Sequence, residues 1–93
     1  MQRITQSNLE AVAARINRTV GAPLESYSRG EDGKPHANVG NYHISYAYGG
    51  AALHRMANAA GSVNDIFGGH MPKRELYEKM HAFLRGIEAA KGV

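Results

Sequence analysis

Two glycine-bearing segments of the chain combine residue types that bind anions. The first is Tyr46-Ala47-Tyr48-Gly49-Gly50, and Arg55 follows it. Aromatic rings stack on bases, glycine lets a ligand approach the backbone closely, and arginine pairs with phosphate. A helix that begins near Gly50 would add free backbone amides. The pattern predicts a nucleotide-type site whose members are Tyr46, Tyr48, Gly49, Gly50 and Arg55.

The second segment is Gly69-His70-Met71-Pro72-Lys73-Arg74. Pro72 suits the first position of a helix, whose first amides and dipole attract an anion. Lys73 and Arg74 place two cations in a first turn that normally disfavours them, so they favour an anionic partner. The predicted ligand-binding residues here are Gly69, His70, Lys73 and Arg74. The two segments would form one site if their turns converge, within one chain or across a dimer.

Both segments also have a purely structural interpretation. Tyr42, Ile44, Tyr46 and Tyr48 alternate with other residues along a predicted strand, and strand aromatics commonly pack as the core side of a sheet. Similarly, Glu75 and another acid would neutralise Lys73 and Arg74 on a solvated face. The sequence leaves both interpretations open.

No catalytic or metal motif accompanies these segments. The chain has no G-x-S-x-G, no H-E-x-x-H, no P-loop and no G-x-G-x-x-G. A metal site with Asp65, His70 and one further ligand is conceivable, but no pair has typical metal-ligand spacing. We expect no catalytic residue, no metal and no cofactor. The histidines are then surface or hydrogen-bonding residues, namely His36, His43, His54, His70 and His81.

An amphipathic helix is predicted at each end of the chain. Ser7 and Glu10 have the spacing of a capping box, which predicts a helix over about 8–20 that ends at Gly21. Its apolar face carries Leu9, Val12, Ala13, Ile16 and Val20. Pro72 opens the last helix, which ends at Gly92, and Glu75 and Lys79 form an i,i+4 pair. Its apolar stripe is Leu76, Met80, Phe83, Leu84 and Ile87.

The middle of the chain reads as short strands and one short helix. Strands are predicted at about 24–28, 34–39 and 41–48, with a bulge or bend at Gly40. Residues 51–59 read as a helix, followed by a loop over 61–71 that Val63, Ile66 and Phe67 attach to the core. The predicted class is α+β. A small antiparallel sheet of two or three strands packs against an N-terminal helix, a short central helix and a longer C-terminal helix.

Composition limits the remaining possibilities. The 93 residues suit one domain, 1–93, and the absence of cysteine excludes disulfide and thiolate chemistry. No apolar run approaches the ~20 residues of a membrane span. The net charge of +3 is spread over both halves, which gives little support to nucleic-acid binding. Only seventeen residues are Leu, Ile, Val or Phe, so we expect a thin core that a homo-oligomer completes.

Three short segments in the central and C-terminal parts of the sequence resemble those of small accessory proteins encoded by tailed phages and prophages. They are Asn38-Val39-Gly40-Asn41-Tyr42-His43, then Tyr46-Ala47-Tyr48-Gly49-Gly50 with Leu53, then His70-Met71-Pro72-Lys73-Arg74-Glu75-Leu76. The resemblance covers about residues 24–87 and implies a protein of the bacterial host cytoplasm. It brings no catalytic residues. Such proteins often block host defences, by binding a defence protein or by sequestering its nucleotide signal.

Three functions are therefore expected in order of preference. The first is a non-enzymatic binder of a small anionic, nucleotide-type ligand, which acts as a sponge for a defence signal. The second is a protein-binding inhibitor of a host enzyme or defence complex, which predicts an exposed apolar patch. The third is a nucleic-acid-binding regulator, whose binding would depend strongly on salt.

Overall fold

The computed structural model describes residues 3–91. Over these residues the elements are α1 (Gln6–Val20), β1 (Tyr27–Arg29), β2 (Pro35–Ala37), β3 (Tyr42–Ala47), β4 (Gly50–Met56), β5 (Val63–Asp65) and α2 (Lys73–Ala90). β1 and β2 form a two-stranded antiparallel sheet, and the second sheet has the order β3-β4-β5. The predicted α+β class is confirmed, although the strands divide into two sheets.

Helix α1 begins two residues before the predicted start. The Thr5 hydroxyl accepts a hydrogen bond from the Asn8 amide at 3.2 Å, and the Asn8 side chain accepts one from the Thr5 amide at 2.9 Å. The predicted capping box at Ser7 and Glu10 is therefore wrong. Starting at Thr5 places Ile4 against the core cluster that contains Leu9, as in a hydrophobic staple. The helix ends at Gly21 in the left-handed conformation, as predicted.

The predicted helix over 51–59 is wrong, because Gly50–Met56 forms the central strand β4. It pairs with β3 in an antiparallel register that runs from Ala47 opposite Gly50 to Tyr42 opposite Arg55. Ala51, Ala52 and Leu53 are fully buried. Alanine favours helix when considered alone. Backbone hydrogen bonds to β3 on one side and β5 on the other, together with burial of the segment, outweigh that preference.

Helix α2 follows Pro72, which is its N-cap. The predicted stripe is confirmed in its buried members, Leu76, Met80 and Leu84, and Glu75 pairs with Lys79 at 3.4 Å as expected. The predicted end at Gly92 lies outside the described residues. Within residues 3–91, neither helix has the length and apolar character needed to cross a membrane.

The core joins α1, β4 and α2. Its buried cluster consists of Leu9, Val12, Ala13, Ile16, Ala51, Leu53, Leu76, Met80 and Leu84. The predicted loop over 61–71 contains the short strand β5. Ile66 and Phe67 pack against the core as expected, whereas Val63 remains 39% exposed. The helices thus cover the face of the three-stranded sheet that carries Ala51 and Leu53, whereas the other face carries His43, Ser45 and His54 beside the buried Ala52 and Met56.

Candidate functional site

Three histidines lie together on the outer face of the β3-β4-β5 sheet. Strand side chains alternate between faces, and His43 of β3 is the cross-strand partner of His54 of β4. Their ring centroids are 5.8 Å apart, and the His70 ring lies 5.9 Å from that of His54. His70 reaches this face from the segment before α2. We call His43, His54 and His70 the histidine cluster.

Two polar side chains adjoin the histidine cluster. His70 Nε2 lies 3.1 Å from the Ser45 hydroxyl, and His54 Nε2 lies 3.8 Å from a carboxylate oxygen of Asp65. A Ser-His-Asp triad has a hydroxyl and a carboxylate on the same imidazole. Here the hydroxyl of Ser45 contacts His70, whereas the carboxylate of Asp65 lies beside His54. Across residues 3–91, no three side chains of metal-ligating type are placed to hold one ion.

His43 is the member of the histidine cluster whose titration is shaped by its surroundings. Burial lowers the pKa of His43, and the neighbouring imidazole of His54 lowers it further. The His43 ring is also positioned by Asn41, whose Oδ1 lies 3.2 Å from His43 Nδ1. Asn41 is itself buried. At neutral pH, His43 is therefore an uncharged member of the cluster.

Tyr48 has an unusual backbone conformation at the tip of the β3-β4 hairpin. Its φ is +56° and that of Gly49 is +73°, so the two-residue turn has the pattern of type I′. Asn and Gly dominate the first position of such turns, because larger side chains are disfavoured in the left-handed region. The Tyr48 side chain is nevertheless 96% exposed. Its ring centroid lies 5.6 Å from that of His70, edge to face.

The two anion-binding segments meet within one chain. The Ala51 amide donates to the Met71 carbonyl at 2.8 Å, and the Met71 amide donates to the Ala51 carbonyl at 2.9 Å. A Cβ on Gly50 would lie 2.7 Å from the Met71 carbonyl oxygen, so this close approach requires glycine. The structure therefore brings together five of the predicted residues, Tyr48, Gly49, Gly50, Gly69 and His70.

The two predicted cations of the second segment have different surroundings. Lys73 and Arg74 open α2 directly after the Met71 bridge, and both are half-buried. Arg74 already has a partner. Lys73 makes no ion pair with any described residue, since Glu75 pairs with Lys79 instead. Lys73 is thus the cation of this segment for which residues 3–91 supply no acidic partner.

Tyr46 and Arg55 are placed apart from Tyr48. Tyr46 turns to the helix side of the sheet, where its hydroxyl donates to Glu10 at 2.9 Å. Burial raises the pKa of Tyr46, and the hydrogen bond and charge of Glu10 act in the same direction. Arg55 lies at the opposite end of β4, across from Tyr42. The helix amides expected near Gly50 do not exist, because Gly50 begins β4.

Sequence reasoning missed three residues of this surface, namely His43, Ser45 and His54, and it considered Asp65 only as a conceivable metal ligand with His70. The alternation of His43 and Ser45 in a predicted strand already placed them on one face. His54 was hidden because its segment was assigned to a helix. Only the register of three strands brings His54 between His43 and Asp65.

The comparisons with known proteins add no family to this description. No protein-family model, no curated protein and no solved structure matches the chain.

Proposed function

We propose that the chain binds a small anionic ligand of nucleotide type, without catalysing a reaction, at a surface formed by Tyr48, Gly49, Gly69, His70 and Lys73. Tyr48 is the observation that carries the proposal. A bulky side chain in the left-handed region is disfavoured by about 1–2 kcal/mol. A ring that is 96% exposed recovers little of this through burial. Backbone strain of this kind clusters at functional sites.

The chemistry of this surface suits the parts of a nucleotide. The exposed face of the Tyr48 ring offers a stacking platform, and base–aromatic stacking contributes about 1–3 kcal/mol per base. His70 lies edge-on to that ring and offers a ring nitrogen to a polar group. Lys73, which has no acidic partner among the described residues, supplies positive charge for a phosphate. The glycines on both sides leave room for the ligand to approach the backbone.

In a phage or prophage, such a binder would capture a nucleotide signal of the host and reduce its free concentration. The resemblance of three sequence segments to phage accessory proteins supports this role. The role requires no catalytic group. It requires tight binding and slow release. The expected ligands are therefore cyclic nucleotides and ADP-ribose derivatives.

Calorimetric titration of the purified chain with cyclic nucleotides and ADP-ribose derivatives tests this function. We expect saturable binding of at least one member of the panel. Tyr48→Ala should weaken that binding by about 5-fold to 150-fold, which corresponds to the loss of one stacked base. Tyr27→Ala is the matched control, since Tyr27 is an exposed tyrosine of the other sheet.

A panel without any binding contradicts the proposal, and so does an equal loss of affinity in the Tyr27→Ala variant. Chromatography of the ligand after incubation tests the non-enzymatic part. A ligand recovered unchanged supports a sponge, whereas conversion into products means that the histidine cluster performs chemistry.

A second candidate function, a protein interface, is supported by the open edge of β3. In the hairpin register, His43 and Ser45 pair with β4, so the backbone groups of Ile44 and Tyr46 point to the free edge. Tyr42 lies on the same edge, but the Asn17 side chain occupies its backbone groups. Unpaired strand edges accept a strand from another chain. We propose a second copy as the occupant, which gives the expected homo-oligomer.

Light scattering at micromolar concentration tests this interface. A dimer mass, together with protection of the Ile44 and Tyr46 amides from hydrogen exchange, supports pairing along β3. A monomer mass, or a dimer in which these amides exchange freely, rules it out.

A further inference from the structure

We propose that a groove at the end of α1 is a second binding site, which takes a small carboxylate or phosphate bearing a short apolar group, with Arg55 as its anchor. The groove has a volume of about 310 Å³. It lies between the end of α1, the turn before β3 and the far end of β4. Its lining residues are Val20, Gly21, Ala22, Pro23, Val39, Gly40, Tyr42 and Arg55.

The guanidinium of Arg55 lies over the ring of Tyr42. Its Cζ atom lies 6.0 Å from the centroid of the Tyr42 ring, a cation–π distance. Tyr42 is itself fixed, because its backbone is hydrogen-bonded to Asn17 and its ring lies 6.0 Å from that of Phe83. A cation–π contact does not use the N–H donors of the guanidinium, which pair with carboxylate and phosphate.

Arg55 has no anionic partner within residues 3–91. It makes no ion pair and no side-chain hydrogen bond there, although its side chain carries five N–H donors and the residue is half-buried. By contrast, Arg15 pairs with Glu88 at 3.0 Å on the surface. Partial burial removes some of the hydration of a charge, so an oxyanion in the groove gains a strong, charge-assisted contact.

The walls of the groove favour an apolar group on the anion. Val20 and Val39 are 40% and 52% exposed, so they offer apolar surface. Gly21 and Gly40 both have positive φ, and a Cβ on Gly40 would lie 3.8 Å from Arg55 Nη2. Glycine at that point keeps the approach to the guanidinium open. The volume is at the lower limit for ligand pockets, which restricts the ligand to a small molecule.

This groove is independent of the Tyr48 surface. Arg55 and Gly50 are five residues apart in β4, a separation of about 16 Å at the usual strand rise. Arg55 also lies on the face of the sheet that contains Leu53, whereas the histidine cluster lies on the other face. Loss of one site should leave the other intact.

Titration of the ¹⁵N-labelled chain with hexanoate, hexyl phosphate and inorganic phosphate, followed by amide NMR, tests the proposal. We expect saturable shifts at Gly21, Val39 and Gly40 with at least one hexyl ligand. We also expect inorganic phosphate to bind at least about tenfold more weakly than hexyl phosphate. The tighter of the two hexyl ligands identifies the preferred anionic group.

Variants of the groove complete the test. Arg55→Gln should weaken binding at least about tenfold, and Arg55→Lys should weaken it by a smaller factor because the charge is kept. Arg85→Gln, which removes an exposed arginine of α2, is the control and should bind normally. Val39→Glu places a carboxylate on an exposed wall and should compete with the ligand even if Arg55→Gln fails to fold. Absence of saturable shifts, or unchanged affinity in the folded Arg55→Gln and Val39→Glu variants, overturns the proposal.

Discussion

The side chain of Asn17 pairs with both backbone groups of Tyr42. Its Nδ2 donates to the Tyr42 carbonyl at 2.9 Å, and its Oδ1 accepts from the Tyr42 amide at 2.7 Å. A primary amide thereby replaces one residue of a neighbouring strand at the open edge of β3. Asn17 is 1% exposed, so α1 and the sheet are joined by a buried polar contact as well as by the apolar core.

Asn17→Ala should therefore destabilise the fold substantially. The substitution leaves a partly buried amide and carbonyl of Tyr42 without partners, and each such group costs about 1–3 kcal/mol. We expect a loss of about 2–4 kcal/mol in the free energy of unfolding, measured by urea titration. Asn64→Ala, at an exposed position of β5, is the control and should change stability by less than about 0.5 kcal/mol. Equal losses in the two variants contradict this assignment.

The start of α1 can be located by two alanine substitutions. Thr5→Ala removes the hydroxyl that caps the helix and should cost about 1 kcal/mol. Ser7→Ala changes a residue inside the first turn, so it should be neutral or slightly stabilising. Thermal unfolding of both variants measures the difference. A larger loss in Ser7→Ala than in Thr5→Ala would instead place the cap where the sequence pattern predicts it.

Tyr48→Asn should separate stability from binding. Asparagine is favoured at the first position of a type I′ turn, so the variant should gain about 1 kcal/mol in unfolding free energy. It should also lose the stacking surface for a nucleotide. Tyr48→Phe keeps the ring and the strain, and it is expected to match the natural chain in both measurements. If Tyr48→Asn unfolds more easily, Tyr48 has a structural role and the site proposal loses its main support.

Two glycines should respond to alanine in opposite directions. Gly50→Ala forces a Cβ to within 2.7 Å of the Met71 carbonyl oxygen, and the resulting displacement should cost about 1–3 kcal/mol. Gly86 lies in α2, where a Cβ would meet no atom within 4 Å outside the helix's own backbone. Gly86→Ala should therefore stabilise the chain by about 0.5–1 kcal/mol. Chemical denaturation of both variants measures the change in the free energy of unfolding. An unchanged value for Gly50→Ala would mean that the Ala51–Met71 bridge is loose.

His43 should make the fold sensitive to mild acid. Its pKa is lowered in the folded state, mainly by burial and then by the neighbouring imidazole of His54. The unfolded state therefore binds the proton more readily. The contribution of His43 is complete above the ordinary histidine pKa of about 6.5 and is lost as the pH falls through that value towards the folded pKa.

Urea unfolding between pH 5 and pH 8 measures this effect, with His43→Gln as the comparison. The variant should show a shallower decrease of stability over this range. NMR titration of the ring gives a direct reading of the His43 pKa in the folded state. A value at or above 6.5 contradicts the expected sign.

Local patterns were sufficient for the helices. An apolar residue every three or four positions, together with Gly21 or Pro72 at a terminus, specifies a helix through interactions within a few residues. Leu9, Ile16 and Leu84 accordingly became core residues as expected. Tyr42 and Ile44 alternate with other residues along the chain, and this local pattern was sufficient to predict β3.

The helix assigned to residues 51–59 shows where local patterns fail. Ala51 and Ala52 favour helix when considered alone, yet they form the central strand, because hydrogen bonds to β3 and to Met71 stabilise the extended form. That error also misplaced the site. It separated His54 from His43, and it assigned Arg55 to a helix whose amides do not exist.

The sequence by itself therefore determined the α+β class, the two helices and the proximity of glycine and aromatic residues around Tyr48. Only the tertiary structure decided that the Tyr48 turn meets His70, that three histidines share one sheet face, and that Arg55 faces a separate groove. The physical reason is the separation along the chain of the residues that interact. Periodicity and capping act over a few residues, whereas strand register joins residues that are distant in the chain, and their energies are gained only when the whole sheet forms.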